Sequence, residues 1–202
     1  MKRKTSLMIK RTFDVLVSFT GLVFLAPVLL LIAVINLKIH GRPILFSQVR
    51  PGRDAELFRI YKFRSMTSQR DSKGDLLEDS MRRTKFGDLL RATSLDELPE
   101  LWNVLKGDMS IVGPRPLLPE YLQHYSKHQM RRHELRPGIT GLAQTQGRNE
   151  LDWETKFDLD VKYVDEHTLF LDLQILFKTL VAVFKREGID PIDGGSMPKF
   201  GE

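Results

Sequence analysis

From Val15 to Leu37 the chain runs 23 residues without a charged side chain. A straight helix of that length would measure about 34 Å at 1.5 Å per residue, enough to cross a hydrocarbon core of about 30 Å. Pro27 removes a backbone donor and clashes with the preceding turn, dividing the run into arms of about 18 and 15 Å. Lys2, Arg3, Lys4, Lys10 and Arg11 precede it, and Lys38, Arg42, Arg50 and Arg53 follow. With basic residues on both sides, the Lys/Arg balance assigns no orientation. Two membrane arrangements stay open: a spanning helix with a tolerated proline, and a hairpin that returns to the side it entered. A cleaved signal peptide fits poorly, because the stretch exceeds the usual apolar length of about 7–15 residues and no A-x-A site follows. A buried core helix would show a polar face beyond a few small hydroxyls.

Beyond the run the pattern shortens. Ile44–Gln48 and Leu57–Phe63 read as two strands joined through Arg50-Pro-Gly-Arg-Asp54, a likeness to a hairpin carried by its turn residues. Residues Thr67–Lys85 are charged and weakly patterned, the mark of a loop or frayed helix. Helical spacing resumes over Phe86–Arg91, Leu95–Lys106 and Leu117–Arg132, then over Trp153–Glu166 and Leu169–Arg186. Gly138–Gly141 and Gln144–Asn149 read as loops, and the Gly/Pro-rich tail from Gly188 as flexible. In the last helix Leu169, Leu173, Leu176, Leu180 and Val183 recur at helical spacing with Phe170, Phe177 and Phe184 beside them. That face suits either a bilayer interface or the domain core.

Composition narrows the setting. The chain has 202 residues, a formal charge of +5 and no cysteine, a pI near 9.4 and a mean hydropathy of −0.23. One ordinary domain fits beside the membrane segment. Thiolate metal sites and disulfides are excluded. The positive balance suits an anionic leaflet or a phosphorylated substrate. Nucleic acid is not expected, since the basic segment Lys127–Arg136 offers no interleaved aromatics for stacking.

The densest reactive cluster is Arg91-Ala-Thr-Ser-Leu-Asp-Glu-Leu-Pro-Glu100. Ser94 and Glu97 have capping-box spacing, which would place Asp96 and Glu97 in a first helical turn. The helix dipole there favours ionised carboxylates and lowers their pKa. An ionised aspartate suits attack on phosphorus or metal binding. Adjacent helical residues diverge by about 100°, which disfavours a glycosidase-like pair of opposed acids. A plain helix start is the competing reading. Around the cluster, Arg115 and Arg136 sit in Pro/Gly turns that can aim a guanidinium at little entropic cost. Arg91, Lys62, Arg64 and Arg148 would complete a diphosphate cradle, with Gly138, Gly141 and Gly147 letting backbone amides approach an anion. His124 and His128 are spaced as a helical ligand pair but lack the glutamate of a zinc motif. An anchored adaptor that docks anionic lipid remains a binding-class alternative.

Taken in order, Lys10-Arg-Thr-Phe-Asp14, Gln48-Val-Arg-Pro-Gly52, Tyr61-Lys-Phe-Arg-Ser-Met66, Ser94-Leu-Asp-Glu-Leu-Pro99, Asn103–Ser110, Gly113-Pro-Arg-Pro116, Arg136–Gly141 and Gln146-Gly-Arg-Asn149 resemble the bacterial sugar transferases. More narrowly, the chain resembles the small monotopic polyprenyl-phosphate phosphoglycosyl transferases. The resemblance runs from about residue 8 to 187 and favours the hairpin reading of the apolar run, with its break at Ala26-Pro27, where some members carry serine before the proline. It implies an α+β, mainly helical fold: a re-entrant, Pro-kinked membrane helix over residues 1–40, a catalytic domain over 41–187 with a small β-hairpin and interfacial amphipathic helices, and a tail over 188–202. It implies a bacterial inner-membrane enzyme on the cytoplasmic face, with both ends of the membrane helix cytoplasmic. A UDP-sugar, undecaprenyl phosphate and membrane lipid are its implied partners, and a homodimer is compatible. By this resemblance Asp96 attacks the β-phosphorus of the UDP-sugar, releasing UMP, and undecaprenyl phosphate then takes the sugar phosphate from the aspartyl intermediate. It also implies Mg2+ held by Asp96 and Glu97, Glu97 as ligand or acid/base helper, and phosphate binding by Lys62, Arg64, Arg91, Arg115, Arg136 and Arg148.

Overall fold

The computed structural model describes residues 2–147, 151–185 and 200–201. Two helices, α1 (Lys2–Phe24) and α2 (Ala26–His40), form one apolar path that bends by 61° at Leu25. Pro27 falls in the first turn of α2, where its missing N–H and fixed φ cost little. The Leu25 amide still reaches Gly21 O at 2.9 Å, and Leu29 N reaches Leu25 O at 2.8 Å, so the bend loses no further backbone bond at these two amides. No single helix among the described residues is long and apolar enough to cross a membrane.

A buried polar lock fastens α1 to the domain. Lys10 donates to Asp172 at 2.8 Å, and Tyr163 OH donates to the other Asp172 oxygen at 2.6 Å. Asp14 accepts from the Ser110 hydroxyl and the Ile111 amide, both at 3.0 Å. Arg11 donates to Val104 O at 2.6 Å and Leu105 O at 2.8 Å at the C-terminus of helix α5 (Glu100–Lys106), where a helix runs out of intrahelical donors for its carbonyls. Leu7, Val17, Leu22 and Leu25 pack on the main core of Leu101, Val104, Met109, Val112, Tyr163 and Ile175. Further along, Leu29, Ile32 and Ala33 of α2 meet Phe63, Leu90, Leu95 and Leu98. The remaining face of the pair, with Leu16, Phe19, Val23, Phe24, Leu30 and Leu31, is exposed.

Strands β1 (Leu45–Pro51) and β2 (Leu57–Phe63) form the expected antiparallel hairpin, with Gln48 opposite Ile60 and Arg50 opposite Phe58. β1 extends through Arg50 and Pro51, which sequence had assigned to the turn. The reversal is made instead by Arg53–Ala55, with positive φ at Asp54 and Ala55. Asn103 completes the free edge of β2: its side chain donates to Arg59 O at 2.6 Å and accepts from Tyr61 N at 3.2 Å. The segment expected to be a loop or frayed helix carries isolated bridges (Met66 to Arg83, Arg70 to Leu76), the short helix α3 (Asp79–Arg82) and the start of α4 (Lys85–Ala92).

Other expectations fail for identifiable reasons. Leu95–Lys106 is not one helix: a 3-10 turn at Leu95–Glu97 precedes α5. Leu117–Arg132 breaks into a 3-10 turn at Pro119–Gln123 and the short α6 (Lys127–Met130), which Ser126 and Gln129 start with a reciprocal capping box. Gly138–Thr140, read as a loop, is a strand (β4) running parallel to β3 (Ser110–Val112). Its glycines serve backbone packing: a Cβ on Gly138 would lie 2.1 Å from the Gly113 nitrogen, and the Gly138 amide donates to Pro114 O. Helix α7 (Trp153–Glu166) keeps its predicted bounds, and α8 (Leu169–Lys185) nearly so. On α8 the core takes Asp172 and Ile175 with Leu176 of the predicted stripe packed against it, whereas Leu173 and Leu180 of the stripe, and Phe170 and Phe177 beside it, are exposed. The tail from Gly188 lies outside the described residues apart from Phe200 and Gly201; Phe200 packs 4.8 Å from the Phe157 ring.

Removing one partner of a buried ion pair leaves the other charge uncompensated. Lys10→Met should therefore lower unfolding stability by about 3 kcal/mol in detergent micelles, and adding Asp172→Asn should recover more than half of the loss; thermal unfolding of the two variants reads both outcomes.

Candidate active site

The site is built where the turn at Leu95–Glu97 crosses the end of β2 above α2. Ser94 adopts a left-handed conformation (φ 54) and makes no side-chain cap, so the expected capping box is absent. The residue serves α4 instead: its amide reaches Arg91 O at 3.1 Å, closing that helix and reversing the chain. Leu95 and Leu98 anchor the turn on the small apolar cluster shared with α2. The turn carrying Asp96 and Glu97 is thereby held against α2.

Glu97 is the electrostatic centre. Its Oε1 accepts from Lys62 Nζ at 2.5 Å and from Arg115 Nη2 at 2.9 Å. Lys62 also lies 3.2 Å from Glu100 Oε1. Burial opposes ionisation of Glu97, but the charges of Arg115 and Lys62 outweigh it and hold the carboxyl below the usual range. Glu100 is pushed the other way by burial and by the charge of Glu97. Asp96, only 9% exposed, is raised to about 6 by burial and by Glu97, against the pull of Lys62 and Arg115. This corrects the expected lowering. With no α-helix beginning at Ser94, no full turn of aligned amides faces Asp96, and desolvation beside a second carboxylate dominates.

Lys62 and Arg115, of the six predicted phosphate binders, meet the Asp96–Glu97 pair. Arg115 projects from the Pro114–Pro116 turn, whose carbonyl at Arg115 accepts from the buried Arg132 at 2.7 Å. The other described candidates are engaged elsewhere. Arg64 is buried and donates to His40 O at 3.0 Å, Pro43 O at 3.1 Å and Ser68 at 2.8 Å, tying the exit of α2 to β2. Arg91 pairs with Asp88 at 2.5 Å. Arg136 donates to Gly107 O at 2.7 Å and lines a separate cavity with Arg53 and Phe58. Arg148 and the glycine-loop residues beside it at 149–150 lie outside the described residues.

Beside the carboxylates is a cavity of about 150 Å³ lined by Arg50, Ile60, Lys62, Glu100, Arg115, Tyr121 and Trp153, among others. Sequence reasoning did not select Arg50, Glu100, Tyr121 or Trp153. Arg50 was discoverable: alternation along the hairpin puts it on the same face as Lys62 once Gln48 pairs with Ile60. The aromatic wall was not, because Tyr121 and Trp153 meet at 5.5 Å with Phe157 and Phe200 packed behind them, a cluster gathered across 80 residues of chain.

Residues 5–186 match the bacterial sugar transferase family. The chain belongs to that family. It is 52% identical over 199 residues to the uncharacterized sugar transferase EpsL of Bacillus subtilis, covering 96% of each chain. It is 38% identical to the undecaprenyl-phosphate galactose phosphotransferase of Salmonella typhimurium, spanning 93% of this chain but 43% of that protein. The exopolysaccharide production protein ExoY of Rhizobium meliloti is 35% identical, with 90% and 88% covered. Other relatives of the Salmonella kind are likewise matched over less than half their length.

The raised pKa of Asp96 has a signed consequence for folding. The folded state holds this proton more tightly than the unfolded chain, so ionisation costs stability as pH rises from about 4 to about 6, and the cost is complete above 6. With a chelator present, Asp96→Asn should melt at a higher temperature than wild type at pH 7.5, and the difference should vanish at pH 4.

Proposed function

We propose that the protein transfers a sugar 1-phosphate from a UDP-sugar to undecaprenyl phosphate through a covalent aspartyl intermediate. The observation that carries this reading is a desolvated carboxylate, Asp96, next to a Glu97 clamped by Lys62 and Arg115, on a turn that rests against α2. Relatives named as undecaprenyl-phosphate galactose phosphotransferase and UDP-glucose:undecaprenyl-phosphate glucose-1-phosphate transferase, 40% identical over 189 residues, support it.

In the first step an ionised Asp96 oxygen attacks the β-phosphorus. The bond to the bridging oxygen breaks, and UMP departs with that electron pair. A phosphate oxygen of the lipid then attacks the phosphorus of the mixed anhydride, and the Asp96 carboxylate is regenerated. Splitting one displacement in two in this way is ordinary nucleophilic catalysis. Partial desolvation leaves Asp96 a stronger nucleophile than a solvated carboxylate, while Lys62 and Arg115 place fixed positive charge where the transferring phosphoryl group must sit. Glu97 orients both cations. Its own ionisation keeps the pair from being a bare positive site that would trap product.

Magnesium is compatible with the donor set. Among the described residues no group of three His, Asp or Glu side chains gathers as a self-sufficient cation cage. Mg2+ commonly takes one or two carboxylates and completes its shell with substrate phosphates and water, which Asp96 and Glu97 can supply together with a diphosphate. Bound there, it would offset charge on the donor phosphates.

The exposed apolar faces fit a monotopic arrangement. The pair α1–α2, bent by 61°, would enter one leaflet and return, while Phe170, Leu173, Phe177 and Leu180 of α8 lie in the interface. Lys10, Asp14, Asn36 and His40 are all buried against the domain at the two ends of the pair, which favours a shared side over a span. The carboxylates then face the cytoplasmic headgroup layer, where a lipid phosphate and a soluble nucleotide sugar can both arrive.

Wild-type protein mixed with the cognate UDP-sugar and Mg2+ should gain the mass of one sugar phosphate with release of UMP before any lipid is added; Asp96→Asn should show neither, and an adduct on that variant would overturn the nucleophile assignment. Cysteines placed at Arg3 and Arg42 in cysteine-free protein should label from the same side of sealed inverted vesicles, whereas opposite-side labelling would establish a spanning helix.

A further inference from the structure

Lys62 and Arg115, which line the cavity, each have a carboxylate partner, Glu97 for both. Arg50 does not share that arrangement. Its Nη2 donates to the neutral Gln48 amide oxygen at 2.7 Å, which fixes the plane of the guanidinium. Its Nη1 is buried and has no hydrogen-bond partner among the described residues. A guanidinium stays charged at any accessible pH, and a buried donor without an acceptor is costly, so an anionic ligand is the natural complement.

The fold also says which end of that ligand Arg50 would meet. Arg50 and Lys62 share a face of the hairpin but lie four residues apart along it, about 14 Å at the usual strand rise. Lys62 and Arg115 both bond Glu97, the neighbour of Asp96, and both line the cavity with Arg50. Lys62 thus marks the end of the hairpin face at the carboxylates, and Arg50 the end away from them. A diphosphate with its β-phosphorus at Asp96 and its remainder in this cavity turns its α-phosphate towards Arg50.

We infer that Arg50 binds the phosphate that leaves with the nucleotide, the α-phosphate of the donor and the phosphate of product UMP. This rests on the transferase reading above and adds to it a leaving-group ligand distinct from the residues around the nucleophile. In the first step Arg50 would hold the departing oxygen's phosphate in line with the Asp96 attack, and in product it would retain UMP by a charge-assisted bond.

The test is binding without turnover. Titration of UMP into detergent-solubilised full-length protein by calorimetry should give a Kd that rises about tenfold or more in Arg50→Gln, the weakening expected on losing a hydrogen bond between charged groups, while uridine binding stays unchanged. The donor KM should rise in step, and the KM for undecaprenyl phosphate should stay within about twofold. Arg50→Lys, which keeps the charge but loses the fixed plane, should fall between, and it serves as the reporting variant if Arg50→Gln melts below the assay temperature. Equal UMP affinity in a folded variant would overturn the Arg50 assignment alone. A rise confined to the lipid KM would overturn it too, by placing Arg50 at the acceptor phosphate. Failure of wild type to bind UMP at all would instead overturn the transferase reading.

Discussion

Everything in this fold depends on how a long apolar helix pair is tied to a polar domain, and the tie is made by charges buried at the base of α1. Lys10 meets Asp172, Asp14 takes the Ser110 hydroxyl and the Ile111 amide, and Arg11 closes the C-terminus of α5. Hydrophobic contact alone would not choose between the domain and a lipid phase for these helices. Buried ion pairs and backbone bonds do choose, because they are satisfied in only one register. At the other end Asn36 donates to Arg64 O at 2.8 Å and pairs with His40, which reaches Thr84 at the N-terminus of α4. Both ends of the bent pair are thus pinned, and the bend between them is fixed relative to the turn carrying Asp96.

That placement explains the electrostatics of the site. A carboxylate close to an apolar helix pair loses water, and Asp96 is raised accordingly. The same desolvation makes the neighbouring cations more effective. Glu97 is the counterweight: ionised by its bonds to Lys62 and Arg115, it keeps two positive side chains together that would otherwise repel, and passes its own charge to Asp96 and Glu100 as a further rise. The result is a cavity lined by three cations, Arg50, Arg115 and Lys62, beside three carboxylates with unequal proton affinities. Such inequality is what lets adjacent acids take different roles.

Sequence patterns served best where one segment carried its own signal. The uncharged run and its proline, the hairpin, and the helix over Trp153–Glu166 are local properties, and the structure keeps them. The Ser94 motif misled because the spacing of a capping box is the same whether serine opens one helix or closes another. Here the preceding α4 claims Ser94 at positive φ, and sequence spacing contains no φ. The Ser126–Gln129 box was legible and would have broken the overlong helix at Leu117–Arg132. The arginines misled for a different reason. A guanidinium is equally suited to a phosphate and to a stray carbonyl, and Arg64, at the end of β2, and Arg136, in its Pro/Gly turn, found carbonyls.

The sequence by itself determined the elements whose energetics are settled between near neighbours: the lipid-compatible run, its break, the hairpin alternation, and the pairing of Asp96 with Glu97 beside a family-like order of motifs. Only the tertiary structure decided the parallel pairing of Ser110–Val112 with Gly138–Thr140, the outward apolar face of α8, and which cations meet Glu97 beside the cavity. Those depend on contacts between segments tens of residues apart. Their free energies come from burial and from charges brought together by folding, and neither quantity exists until the chain has closed on itself.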